Sequence, residues 1–236
     1  MKKNFLLAIC TLMTTLIFAQ TQREVGQVRY LQQFQFDKTV KFEDMTLDDV
    51  NYIGSPYTDK NFIAGEIYHK NQLIAENVPL RYNALMDEMQ FKSTFADADK
   101  DSQAIIKTPE VDIKIGNRIF VFVPYQGGVE KGGYFEVLVK DKKYDLFKKY
   151  NKKYFSEVKA VTTLTKDRPA RITDNEVYYL VSENGTFYEL PNKYRNFSKI
   201  FLKREKEIEK FIKDRKLDVT NERHLIEIVN YFNSLL

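Results

Sequence analysis

Apolar and polar residues alternate in short runs through most of the chain, and past Pro191 the apolar spacing lengthens to about 3.6. The alternation of Gln33-Phe34-Gln35-Phe36 predicts a short strand, and Gly54 and Pro56, two apart among polar residues, mark a turn. Strands are expected over 62–68, 77–83 and 89–92, with a hairpin turn at His69-Lys70-Asn71-Gln72. The clearest alternation is Val111-Asp112-Ile113-Lys114-Ile115, and Gly116-Asn117 after it offers the positive dihedrals of a tight turn. Residues 119–123 are β-branched and aromatic, which predicts a buried strand. Further strands are expected at 134–139, 144–147, 177–181 and 186–190, the last pair flanking Asn184-Gly185 as a two-residue hairpin. The segment 160–173 reads as a crossing loop.

In the C-terminal part, Ile200, Phe201, Ile208, Phe211 and Ile212 fall on one helical face with Lys and Glu opposite. A break at Asp218-Val219-Thr220 precedes a second helix, with Thr220 as the expected N-cap. Its stripe is Leu225, Ile228, Val229, Phe232 and Leu236. Neither helix buries that face alone, so both are expected to pack on each other or on the sheet. The fold class is therefore α+β: an antiparallel β-meander or half-barrel sheet, followed by a C-terminal pair of amphipathic helices. The β-rich domain is expected over 20–190 and the helical segment over 191–236.

The first residues break this pattern. Lys2 and Lys3 precede an apolar run from Phe5 to Phe18, which ends on Ile17-Phe18-Ala19-Gln20. A positive start, an apolar core and a small-residue exit predict a cleavable signal peptide over 1–19. The run is shorter than the roughly 20 apolar residues of a membrane span, and no long apolar run follows it. Lipid attachment at Cys10 is disfavoured, because Ile9 stands where a small residue belongs and the apolar stretch continues beyond the cysteine. The mature chain is expected in the periplasm or outside the cell, soluble and not membrane-spanning after cleavage near Ala19/Gln20.

Cleavage also removes the only cysteine, which excludes disulfides, Cys-ligated metals and a Cys nucleophile from the mature chain. With 37 basic against 33 acidic residues the net charge is +4, and losing Lys2 and Lys3 leaves +2. Residues 37–101 hold 13 acidic and 7 basic side chains, whereas 193–216 hold 4 acidic and 10 basic. Such a split is ordinarily solvated surface, and otherwise a steering field for a partner or an anionic membrane.

Three segments and the two histidines invite chemistry. Asp97-Ala98-Asp99-Lys100-Asp101 copies the first ligands of a calcium loop, but Ser102 and Thr108 stand where Gly and Glu are required. Gly127-Gly128-Val129-Glu130-Lys131-Gly132-Gly133 lacks the Ser or Thr and the helix of a phosphate loop, so it reads as a flexible hairpin loop. Lys148-Lys149-Tyr150-Asn151-Lys152-Lys153-Tyr154-Phe155 has the composition of a single-strand nucleic-acid platform, of a headgroup contact, or of solvated surface; export disfavours nucleic acid. The two histidines, His69 and His224, fall in a turn and early in the last helix, too few for a His-rich metal site. No catalytic, cofactor-binding or metal-binding residue is assigned, and no cofactor is expected. Paired carboxylates remain open, because spacing in sequence does not reveal pairing in space.

Gly54-Ser55-Pro56-Tyr57, Gly65-Glu66-Ile67-Tyr68, Val78-Pro79-Leu80-Arg81-Tyr82-Asn83 and Asp87-Glu88-Met89-Gln90-Phe91 together resemble a group of secreted proteins from Bacteroidota-type bacteria. Tyr134-Phe135-Glu136-Val137-Leu138 and the lysine-rich helical tail are similar too. The resemblance implies export and a β-rich fold. It carries no catalytic residue across, and the group has no assigned activity.

The expected function is that of an exported, non-catalytic envelope protein binding a partner protein or an apolar or lipid ligand through its sheet. The alternative is a carboxylate-dependent hydrolase of envelope polymers.

Overall fold

A computed structural model describes residues 52–128, 130–140, 142–160 and 166–236. The expected leader at 1–19 and the strand expected at 33–36 lie outside the described residues. The elements run β1 (Tyr52–Ile53), β2 (Ile63–His69), β3 (Gln72–Asn83), β4 (Glu88–Phe91), β5 (Gln103–Ala104), β6 (Val111–Ile115), β7 (Arg118–Val123), β8 (Gly133–Val139), β9 (Tyr144–Phe155), β10 (Ala170–Ser182) and β11 (Phe187–Glu189). Then come α1 (Tyr194–Phe197), a 3-10 stretch (Ser198–Arg204), α2 (Glu205–Arg215) and α3 (Glu222–Ser234). The protein is α+β, one open and mostly antiparallel sheet followed by C-terminal helices. No helix among the described residues is long and apolar enough to cross a membrane.

Strand order across the sheet is β1-β10-β9-β8-β7-β6-β2-β3-β4-β5, with β11 beside β10. Among the described strands only β1 runs parallel to its neighbour. Meander connectivity accounts for this order: most neighbours are joined by short turns, such as Gly116-Asn117 between the partners Ile115 and Arg118. At Lys70-Asn71 both residues take positive φ, as a two-residue turn between twisted strands requires.

Five strand spacings of roughly 4.8 Å separate β3 from β9, which would place them about 24 Å apart in a flat sheet. Yet the Tyr82 ring of β3 lies 6.1 Å from the Tyr150 ring of β9 and 5.9 Å from Tyr134 of β8. The sheet therefore curls, and its concave side closes on its own side chains. Leu80, Tyr82, Met89, Phe91, Ile113, Phe120 and Tyr134 fill that interior, all but inaccessible to solvent.

The helices seal the other half of the same side, over β8, β9 and β10. Phe197, Phe201, Ile208, Ile212, Leu225, Ile228, Val229 and Phe232 pack on Val139, Leu146 and Leu180. Phe232 lies 4.9 Å from Phe201 and 5.0 Å from Tyr144, ring to ring. Asn233 completes the docking: its carboxamide accepts from Tyr144 N–H at 3.0 Å and donates to Tyr144 C=O at 2.8 Å. One side chain thus satisfies both backbone groups, as a neighbouring strand would.

Several boundaries differ from the sequence reading. β9 runs on through the lysine-rich stretch to Phe155, and β10 begins at Ala170, inside the expected crossing loop. Asn184-Gly185 is not a two-residue hairpin: the last ladder partners are Val181 and Phe187, and Ser182 N–H reaches Thr186 C=O. The N-cap of α3 is Asn221, whose side chain accepts from Arg223 N–H and His224 N–H, while Thr220 is engaged with Asp218.

Candidate functional site

Among the described residues, three clusters of buried polar side chains stand on the sheet, and strand register places the first. Along β9, Lys148 and Tyr150 point to the concave side and Lys149 to the outer side, because successive strand residues alternate. Glu136 of β8 faces Lys148 in the ladder, and Glu176 and Tyr178 of β10 are their neighbours on the same side. The first turn of α3 adds Glu222.

In this concave seam the Lys148 ammonium binds Glu222 Oε2 at 2.8 Å and Glu176 Oε1 at 3.1 Å. The Tyr178 hydroxyl lies 3.2 Å from Glu176 and 3.3 Å from Glu222. The Tyr150 hydroxyl donates to Glu136, and Arg118 pairs with Asp59. Burial alone would lower the Lys148 pKa, but the hydrogen bond to Glu222, the Tyr150 phenol and the hydrogen bond to Glu176 outweigh it and hold the ammonium charged. Burial raises the Glu136 carboxyl, against the opposing pull of Tyr150 and Lys148. Burial and the Glu136 carboxylate push the Tyr150 phenol up to about 12. The seam therefore sets one carboxyl raised by burial, Glu136, beside two carboxylates that pair with Lys148.

The second cluster sits where β8 begins. Asp87, at positive φ, accepts from the Tyr82 hydroxyl at 2.6 Å and from Tyr134 N–H at 3.0 Å, with Lys107 3.8 Å away. On the outer side, Lys149 is buried, donates to Gly132 C=O and lies 4.4 Å from the Phe135 ring centre. Burial lowers its pKa, although Asp87 and Glu130 pull the other way. The glycine-rich loop expected to be flexible folds down here, and its Glu130 is buried. Gly133 has φ +105°, and a Cβ there would stand 2.7 Å from Lys149 Nζ and collide with Asp87.

The third cluster lies on the outside of β3 and β4. The Arg81 guanidinium is stacked between Tyr57 and Phe62, 3.7 and 4.1 Å from their ring centres. It binds Gln90 at 3.1 Å and Asp99 Oδ2 at 2.9 Å, and its Nε has no hydrogen-bond partner among the described residues. Lys92, also buried, binds Asp99 Oδ1 at 3.1 Å and Asp97 C=O at 2.8 Å. Asp97 caps Thr94 through its N–H and hydroxyl. The apparent calcium motif is thus spent on internal cations and a turn. Among the described residues no group of His, Cys, Asp or Glu is arranged to hold a metal.

The lysine-rich stretch reads differently once its strand is placed. Lys148 and Lys149 are buried and Lys152 pairs with Asp174, so the segment offers no continuous cationic platform. His69 lies 3.1 Å from Glu110, and His224 Nδ1 accepts from Asp218 N–H at 2.9 Å. Nothing in the spacing of Glu136, Glu176 and Glu222 announced their meeting; the one signal was charged residues at inward positions of otherwise apolar strands.

The outer side of β7–β11 carries a different feature. Register puts Ile119, Val137, Phe147 and Tyr179 in one row across four strands, with Val121, Phe135, Lys149 and Val177 in the next. Phe187 of β11 joins them, 5.3 Å from Phe135 and 5.8 Å from Phe147. Phe135 and Tyr179 are buried, whereas Val121, Phe147, Val177 and Phe187 are half-buried. No protein-family description, curated protein or solved structure matches this chain.

Proposed function

We propose that this is an exported, non-catalytic protein of the cell envelope that binds a partner protein or an apolar, lipid-like ligand on its sheet. The binding face is the outer side of β7–β11. The observation carrying this reading is the surface of half-buried apolar side chains Phe147, Val121, Val177 and Phe187, with Lys149 the polar member of its two rows, which no helix packs against among the described residues. The concave side is already filled by Tyr82, Phe120, Tyr134 and Tyr150, so it offers a ligand little room. A contiguous apolar patch on a surface is ordinarily an interaction site.

The test is native mass spectrometry of the protein purified from its own envelope, beside the double variant Phe147→Ser, Val121→Ser. The reading expects a bound lipid or protein with the unaltered chain and its loss from a folded variant. A bare chain in both preparations would sink it.

A second reading is a hydrolase of envelope polymers. It is favoured by the concave seam, where burial raises the Glu136 carboxyl while the Glu222 carboxylate pairs with Lys148 at 2.8 Å, two carboxyl groups in unlike surroundings as paired-carboxylate hydrolysis uses. Release of reducing ends from cell-wall polymer, abolished by Glu136→Gln and by Glu222→Gln, would establish it. No release by the unaltered chain would dismiss it.

A further inference from the structure

We infer that the far end of the β9–β10 ribbon is a docking tip for an anionic lipid surface, formed by Phe155, Val158 and Ile53 together with Lys153, Arg168 and Arg171. These residues are separate from the apolar outer face of β7–β11. Pairing between β8 and β9 ends at Lys148, whereas β9 stays paired to β10 as far as Phe155 with Arg171. The ladder resumes at Val158 and Arg168, whose backbone groups exchange two hydrogen bonds of 2.8 Å. A two-stranded ribbon therefore runs on past the seven-residue β8, with β1 alongside through Ile53 and Arg171.

The residues at this end combine two chemistries. Ile53 is 64% exposed, Phe155 42% and Val158 46%, which for large apolar side chains at a strand end is an uncompensated cost in water. Each of the three faces an arginine in the ladder: Ile53 and Phe155 both face Arg171, and Val158 faces Arg168. The Arg171 guanidinium lies 4.8 Å from the Phe155 ring centre. Around them Lys153, Lys159, Lys166, Arg168 and Arg171 oppose only Glu157 and Asp167, a net charge of +3 over 153–160 and 166–171. Both acids lie against Lys159, at 3.3 and 3.8 Å, so neither pairs with Lys153, Arg168 or Arg171.

Size and sign together select the occupant. A stable protein interface buries about 1,200–2,000 Å² in total, more than the three exposed apolar side chains among the described residues of this end supply. A bilayer interface needs less: a few apolar groups at the level of the acyl boundary, with cations beside them to meet anionic headgroups. Alternation of arginine with isolated apolar residues fits that boundary.

The experiment is co-sedimentation of the purified chain with vesicles of equimolar phosphatidylcholine and phosphatidylglycerol, and with pure phosphatidylcholine vesicles. Binding is expected to the anionic vesicles, weakening with salt, and little to the neutral ones. Lys153→Gln and Arg168→Gln should each weaken it about fivefold. Phe155→Ser with Val158→Ser should weaken it further while leaving the circular dichroism spectrum and Tm unchanged. Equal binding to both vesicle types, no binding to either, or anionic binding indifferent to all four substitutions would each overturn the proposal. The Phe147→Ser, Val121→Ser variant should bind vesicles like the unaltered chain, so failure of the outer-face reading is told apart from failure of this one.

Discussion

The ammonium of Lys148 and the carboxylate of Glu222 meet at 2.8 Å, and this contact fastens the first turn of α3 to the middle of the sheet. Lys148 is nearly buried and Glu222 about a third exposed, so the pair is worth more than a surface ion pair. Replacing Glu222 by Gln should cost about 1.5 kcal/mol, the lower end for a hydrogen bond to a charged group, since Glu176 still neutralises the lysine. Urea unfolding at constant m-value measures it. An unchanged midpoint would show that the helix is held by its apolar face alone.

Asp99 is 60% exposed, yet it is the shared carboxylate of two buried cations, Arg81 and Lys92. Asp99→Asn leaves both without an ionised partner there and, because solvent screens the exposed carboxylate, should cost only about 1 kcal/mol. Its carboxyl is held below the usual range by the hydrogen bond from Lys92, with burial opposing and Arg81 adding to the effect. A depressed folded pKa means that this contribution is full above the ordinary Asp value and is lost as pH falls through the folded one. Calcium or a chelator should leave the Tm where it is; a calcium-dependent rise would restore the metal reading of this loop.

Glu136 has the opposite sign. Burial raises its folded pKa above the unfolded value, so its contribution is present below the ordinary carboxylate range and is lost as pH rises toward neutrality. Glu88, with a buried oxygen that has no hydrogen-bond partner among the described residues, is raised by burial in the same direction. Glu136→Gln keeps an acceptor for Tyr150 and removes the titration. The variant should be at least as stable as the parent near neutrality, with a flatter loss of stability from acid to neutral pH. Parallel pH profiles for parent and variant would contradict this.

Gly133 and Gly116 both have positive φ, but only Gly133 is crowded, by Asp87 and Lys149. Gly116→Ala should cost about 1 kcal/mol, the strain of an L residue there. Gly133→Ala adds a clash and should cost about 2 kcal/mol more, in the range of overpacking. Equal losses in the two variants would mean that the Asp87–Lys149 cluster yields freely.

The strand core was legible because its alternation is strict: Val111, Ile113 and Ile115 are buried, with Asp112 and Lys114 between them. The helices were legible by their stripe, which put Ile208, Ile212, Leu225, Ile228, Val229 and Phe232 inside. What misled was polarity at inward positions. Lys148 and Glu136 look like solvent-facing residues, and their meeting depends on neighbours in the ladder and on a helix turn 74 residues further along. Length was underestimated for β9 and β10 for the same reason, since Lys152, Asp174 and Glu176 mimic a loop until they are paired across strands. The curl was expected only as one of two alternatives, the half-barrel beside the plain meander, because it follows from twist accumulated over many strands rather than from any short stretch.

The carboxamide of Asn233 binding both backbone groups of Tyr144 has a consequence for the order of assembly. The two residues are 89 apart, so a chain emerging from its N-terminus presents β9 long before the partner that covers it. Until α3 arrives, Leu146 and Leu180 have no lid, and the helical half of the core cannot close. The latch is made by α3, so this half of the core is incomplete until the most C-terminal described helix is in place.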